Sequence, residues 1–225
     1  MRHIIAVSLL LSFAAVVLFL RSRYPILSDA RVADLYDLLS RFQKFSKENN
    51  VDYRAIAGTY LGAVRHSAII PWDDDVDVAV LSNTFDFLKT QAEALEKCGL
   101  VLHMQTKPFE LMKLFRKEDG IDYGLCGHSK PVLDVFCMEK VGDIVQYKEK
   151  KARKLWPNEW FLLSEWQNHT LYPFGSIQVP GSTDYNTVCT RMWGDWQVPK
   201  VKPMYRLLYP FKIRRRLKGS RIIKK

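Results

Sequence analysis

The sequence predicts an α/β fold, one mixed β-sheet covered by helices, with an apolar anchor at its N-terminus. Three observations carry this. Short runs rich in apolar residues recur along the chain, at Asp75–Leu81, Leu100–Gln105, Leu111–Arg116 and Val132–Cys137, and each has the length of a buried strand. Segments between and before them place apolar residues every three to four positions, the period of a helix with one buried face. Residues 4–20 form a single uncharged apolar run.

That run, Ile4 to Leu20, lies between Arg2 and His3 on one side and Arg21 and Arg23 on the other. Its length falls at the short end of a membrane span, roughly 17–25 residues. It exceeds the apolar region of a cleaved signal peptide, roughly 7–15 residues. No small-x-small cleavage site stands at Leu18-Phe19-Leu20-Arg21, so it reads as an uncleaved signal anchor. Residues 1–24 are thus anchor and stem, 28–203 a catalytic domain, and 204–225 a basic tail. Orientation is contested. Arg2 stands against Arg21, Arg23 and Arg31, a count that puts the domain in the cytosol. The sequon Asn168-His169-Thr170 points instead to the lumen.

The chain has 225 residues, 48% of them apolar, and a formal net charge of +10. Eight basic residues and no acid lie between Lys212 and Lys225, so the tail carries most of that charge. A nucleic-acid binder would spread it over a folded face with aromatic residues between, so no nucleic-acid partner is expected. Cys98, Cys126, Cys137 and Cys189 form no C-x-x-C pair, which argues against zinc. Their possible pairing stays open, and Cys137 shares a strand face with Leu133 and Val135, as a core residue would.

Taken in order, Ser28 caps a helix to about Lys47, with Val32, Leu35, Leu38, Leu39, Phe42 and Phe45 as its buried stripe. Val51 to Ala57 reads as a strand ended by Gly58, and Thr59 caps a short helix carrying Leu61, Val64 and Arg65. After the strand Asp75–Leu81, Ser82 opens an amphipathic helix that ends near Gly99. Two strands follow, then Val132–Cys137 with Asp134 inside it. Beyond Met138 the periodicity weakens, and tryptophans and prolines dominate to Pro203.

The chemistry concentrates at Pro71-Trp72-Asp73-Asp74-Asp75-Val76-Asp77-Val78. Crowded carboxylates repel one another, and a fold keeps them when a cation sits among them. Strand alternation sends Asp73, Asp75 and Asp77 one way and Asp74 the other. An all-oxygen set suits Mg2+ or Mn2+. A calcium loop of the EF-hand type is excluded, because its sixth and twelfth positions hold Val78 and Thr84 instead of Gly and Glu. Upstream, Gly58 permits close approach of a phosphate, which the following amides and the Thr59 hydroxyl would hold. Arg65 would neutralise phosphate charge, and His66 reads equally as a functional or a packing histidine. Asp134, alone in an apolar strand, needs a metal or a partner, and could ligate a second metal or take a proton from an attacking hydroxyl. Lys113 and Arg116 are weaker candidates to face a substrate.

These residues bear a resemblance. Gly58-Thr59-x-Leu61-Gly62-Ala63-x-Arg65-His66, followed by Ile70-Pro71-Trp72-Asp73-Asp74-Asp75-x-Asp77, closely resembles the signature of the LicD/fukutin family. Leu133-Asp134-Val135-Phe136 is similar to its second acidic motif. Tyr172-Pro173-Phe174-Gly175 through Val179-Pro180 to Trp193-Gly194-Asp195-Trp196-x-x-Pro199 is similar to its C-terminal one. The resemblance implies a nucleotidyltransferase-type fold and a Mg2+- or Mn2+-dependent enzyme. Such an enzyme moves phosphocholine or ribitol phosphate from a CDP-alcohol donor to a glycan or glycoconjugate hydroxyl. It implies Asp75, Asp77 and Asp134 as catalytic, Asp73 with them as metal ligands, and an anchored Golgi or ER lumenal domain with Asn168 glycosylated. The chain departs from the family in its shortness and in lacking a cysteine cluster like the zinc-binding insertion of fukutin-related protein. Donor head group and acceptor therefore stay open. Two rival expectations stand beside it: a D-x-D glycosyltransferase using a nucleotide sugar, and an inactive membrane-tethered glycan-binding relative.

Overall fold

The computed structural model describes residues 12–20, 27–121, 130–201 and 203–208. Residues 12–20 are helical (α1). No described helix is long and apolar enough to cross a membrane. Most of the expected anchor's flanks, its first residues 4–11 and the stem 21–26, lie outside the described residues, as does the tail from 209 onward.

The chain then runs α2 (Asp29–Glu48), β1 (Arg54–Ala55), α3 (Ala57–His66), β2 (Val76–Leu81), α4 (Ser82–Lys89), α5 (Ala92–Lys97), β3 (Leu100–Gln105), β4 (Leu111–Arg116) and β5 (Leu133–Val141). The second part is β6 (Ile144–Tyr147), α6 (Lys150–Leu155), β7 (Trp160–Leu162), α7 (Leu163–Gln167), β8 (His169–Phe174), β9 (Ile177–Ser182), α8 (Tyr185–Trp193) and α9 (Pro203–Leu208). The main sheet has the order β1-β2-β5-β4-β3, with β6 on the far half of β5 and β7 on β6. Only β2 and β5 are parallel; every other pair is antiparallel. The sheet is therefore mixed, as expected. Its parallel pair is buried on both faces, which is why both strands read as almost unbroken apolar runs.

Helix α2 forms as predicted. Ser28 accepts a hydrogen bond from the Arg31 amide at 3.0 Å, and Leu35, Leu38, Leu39, Phe42 and Phe45 are its buried stripe. Strands β3 and β4 match their predicted ends. The expected helix from Ser82 to Gly99 is instead two helices with a break at Thr90–Gln91. The strand expected at Val51–Ala57 shrinks to two residues, because the backbone turns at Ala57 (φ 46°) straight into α3. The weakly periodic second part contains four strands, two of them a separate hairpin, β8–β9. Asn168 lies exposed at the end of α7. Cys137 and Cys189 are buried and Cys98 half-buried, all three as free thiols. Cys126 lies outside the described residues.

The hairpin β8–β9 clamps α3. The hydroxyls of Tyr60 on α3 and Tyr172 on β8 both donate to the Ser182 carbonyl, at 2.9 and 2.7 Å. Gly181 lets the Tyr60 ring lie against the hairpin, since a Cβ there would stand 2.3 Å from it. Two residues further along α3, a Cβ on Gly62 would stand 2.7 Å from the Ala68 carbonyl oxygen. Backbone cannot rotate away as a side chain can. Gly62→Ala is therefore expected to destabilise the fold by about 1–3 kcal/mol, measured as a lowered urea midpoint with unchanged slope.

Candidate active site

The site is assembled by strand register. Asp77 on β2 lies directly opposite Asp134 on β5, and Asp134 lies opposite Lys113 on β4. Directly paired residues share a face of the sheet, so the three side chains form one row. Asp75 precedes β2 and closes the group. One carboxylate oxygen from each of Asp75, Asp77 and Asp134 lies within 4.8 Å of the others. Lys113 Nζ donates to both oxygens of Asp134, each at 2.8 Å, and both side chains are buried.

Helix α3 fixes β2 from behind. The Asp77 amide donates to the buried Thr59 hydroxyl at 2.8 Å, and the Ile56 amide donates to the Asp77 carbonyl at 3.2 Å. Ala57, at the wall of the site, holds a left-handed conformation that a non-glycine residue adopts only when its surroundings demand it. Asp73 stands over Gly58, where a Cβ would lie 2.1 Å from its Oδ2. Gly58 is thus the space that the Asp73 carboxylate fills.

Burial and mutual repulsion dominate the electrostatics of the site. Burial, then the neighbouring carboxylates, hold Asp75 and Asp77 well above the usual carboxylate range. Burial and Asp74 push Asp73 up to about 7, with Arg65 pulling the other way. A donor set made only of carboxylate oxygens, converging and mutually repelled, fits a hard divalent cation such as Mg2+ or Mn2+.

The carboxylates floor a chamber of about 470 Å3. Phe109, Phe136, Tyr147 and Trp156 line it as one aromatic cluster, with ring centroids 5.4–6.4 Å apart. Glu159 also lines it and accepts from the Tyr147 hydroxyl at 2.5 Å. Burial raises the Glu159 carboxyl, and the bond from Tyr147 pulls it back. Sequence reasoning missed Tyr147, Trp156, Glu159 and Phe109. None lies in a motif, and they meet only because β6 and α6 fold back along β5.

Among the predicted residues, Asp73, Asp75, Asp77 and Asp134 all line the chamber and Asp74 does not. Lys113 lines it too; Arg116, on the opposite face, pairs instead with Asp119 and Asp34. The predicted phosphate group is not brought together there. Thr59 is buried beneath β2, and Gly58 faces a carboxylate. Arg65 is buried at the end of α3, donating to the Trp196 carbonyl at 2.8 Å and to His66 Nδ1 at 3.2 Å. Adjacency in sequence misleads here, because at the far end of a ten-residue helix neither Arg65 nor His66 lines the chamber that its first turn touches, although the Arg65 charge still reaches Asp73. His66 is a packing histidine: burial and then Arg65 lower its pKa to about 4, and it stays neutral.

A histidine whose pKa falls on folding stabilises above its unfolded value, and that stability is lost as pH falls toward the folded value. For His66 the window runs from 6.5 down to about 4. Relative to His66→Gln, the wild type is expected to lose about 2–3 kcal/mol across it. Urea titrations of both proteins at pH 7 and pH 4.5 measure that difference, in which the other titrating groups cancel.

A family model described as LicD/FKTN/FKRP, nucleotidyltransferase domain, matches residues 50–183, more than half of the chain. An uncharacterised protein of Rickettsia prowazekii is 28% identical over 175 residues, covering 76% of this chain and 58% of that protein. A second, from Rickettsia typhi, is 28% identical over 197 residues, covering 82% and 56%. Over 42 residues the chain is 40% identical to the lipopolysaccharide cholinephosphotransferase LicD of Haemophilus influenzae, covering 19% of this chain and 16% of that protein. The chain thus spans little more than half the length of its longer-matching relatives. With the first and second acidic motifs inside the matched region and their aspartates converging in space, the chain belongs to the LicD/FKTN/FKRP nucleotidyltransferase-domain family.

Proposed function

We propose that this protein transfers a substituted phosphate group, of the phosphocholine or ribitol-phosphate type, from a CDP-linked donor to a hydroxyl of a glycan or glycoconjugate. The observation that carries the reading is the convergence of Asp75, Asp77 and Asp134 on the floor of a chamber large enough for a small ligand. Family membership supports glycan modification by a phosphotransferase-type reaction. The name of the Haemophilus relative supports an alcohol-phosphate as the transferred group.

Asp75, Asp77 and Asp134 would hold one Mg2+ or Mn2+. When bound, that ion neutralises phosphate charge and makes a hydroxyl near it more acidic. The chain's own residues do the rest. Lys113 adds a positive charge beside the donor phosphates. The rings of Phe109, Phe136, Tyr147 and Trp156 offer an apolar wall for the base or head group. Lys113 ties up both oxygens of Asp134, so the role of proton acceptor passes to Asp73, which lines the chamber outside both the triad and the ion pair. Asp73 would take the proton of the attacking hydroxyl, whose oxygen bonds to the phosphorus as the bond to the departing CMP breaks.

Anchorage by residues 4–20, with the domain in the Golgi or ER lumen, belongs to the same proposal. The exposed Asn168 sequon supports the lumenal side. A mass shift on the secretory-pathway protein that Asn168→Gln removes would bear it out.

Release of CMP from a panel of CDP-alcohols with glycan acceptors tests the activity. Turnover of UDP- or GDP-sugars in their place would favour the D-x-D glycosyltransferase. Asp75→Asn and Asp77→Asn are expected to abolish Mn2+-dependent CMP release with the fold intact by circular dichroism; near-wild-type rates would sink the reading. Asp73→Asn should lower turnover by about 10²–10⁴-fold and leave Mn2+ affinity nearly unchanged. An equal loss of Mn2+ affinity would place Asp73 among the ligands instead.

A further inference from the structure

Asp134 has a partner on each side. Asp77 stands opposite on β2, and Lys113 stands opposite on β4. An ion at the triad needs one oxygen from each carboxylate, and those oxygens already converge within 4.8 Å. The ammonium of Lys113 sits 2.8 Å from both oxygens of the same Asp134, the distance of strong charge-assisted hydrogen bonds. The side chains of the two residues are 10% and 7% exposed, so little water screens them. Among the described residues that line the chamber, Lys113 is the one cation.

Charge balance sharpens the point. At the triad itself, three carboxylates and one ammonium leave two negative charges, which a single divalent ion neutralises; Asp73 and Glu159 line the chamber outside it. A second divalent ion on Asp134 would need the space the ammonium fills, and would be repelled by it. Two-metal sites clamp both ends of a transferring phosphate with a pair of cations. Here the sheet register sets one cation, the Lys113 ammonium, beside the triad.

We infer that Lys113 stands in for a second metal ion: the protein binds one divalent cation at Asp75, Asp77 and Asp134, and the Lys113 ammonium is the other positive charge of the site. The inference rests on the metal-dependent reading above and deepens it. An ion pair kept only for stability would have no bearing on how many metal ions bind.

The test counts Mn2+ bound per chain by electron paramagnetic resonance, with the full chain and Mn2+ alone. The wild type is expected to bind one. Lys113→Met, near in shape and uncharged, should bind two, while Lys113→Arg keeps the charge and should still bind one. Two ions on the wild type, or on Lys113→Arg, overturn the inference. So does a single ion on Lys113→Met. Should Lys113→Met fail to fold, Lys113→Gln replaces it, and the wild-type and Lys113→Arg counts stand by themselves. No Mn2+ on the folded wild type would instead bring down the metal-dependent reading itself, an outcome distinct from a count of two.

Discussion

Three carboxylates within 4.8 Å of one another are the constraint around which this fold is arranged. Burying one charge is costly, and burying like charges together costs more. The sheet meets that cost by geometry. Directly paired residues on neighbouring strands hold their Cβ atoms about 4.5–5.5 Å apart, which is the spacing two carboxylates need to share an ion. A slip of one residue between β2 and β5 would send Asp134 to the other face of the sheet. The register is held by apolar side chains on both faces of the two strands. The hydrophobic core thus sets the position of the charges, and Lys113, from the next strand, compensates part of them.

Helix α3 transmits the same constraint outward. Its first turn fixes the backbone of Asp77 through Thr59, and its middle is gripped by β8–β9 through Tyr60. Its last turn is tied by Arg65 to the carbonyl of Trp196. The later motif, from Tyr172 to Pro199, contributes no residue to the chamber. Its hairpin and the segment around Trp196 instead brace the helix that braces the strand. Here a sequence motif marks mechanical support.

The same division separates what was legible in the sequence from what was not. Strands β3 and β4 and helix α2 were readable to their ends or nearly so, because each encodes its burial locally. The four chamber aspartates were readable because a carboxylate set among β-branched residues is too costly to bury unless a cation or a partner compensates it. Arg65, His66 and Thr59 were not, since a helix buries residues that a linear motif displays side by side. The breaks at Ala57 and at Thr90–Gln91 carry no proline, and in each case the tertiary fit decides the turn. The aromatic wall was least legible. Phe109, Tyr147 and Trp156 come from separate segments with no periodicity of their own, and only the return of β6 and α6 along β5 brings them together.

The chamber accordingly has two halves of different origin. Asp77, Asp134 and Lys113 come from strands at the centre of the sheet and Asp75 from the residue just before β2; in the proposed function they handle the phosphate. Pro108, Phe109, Leu155, Trp156 and Glu159 come from the loop before β4, from the end of α6 and from the segment after it. In the proposed function they face whatever that phosphate carries. Rigid strands hold a reaction's geometry and connecting segments vary its substrates. In the proposed function, the choice of donor falls to the second half.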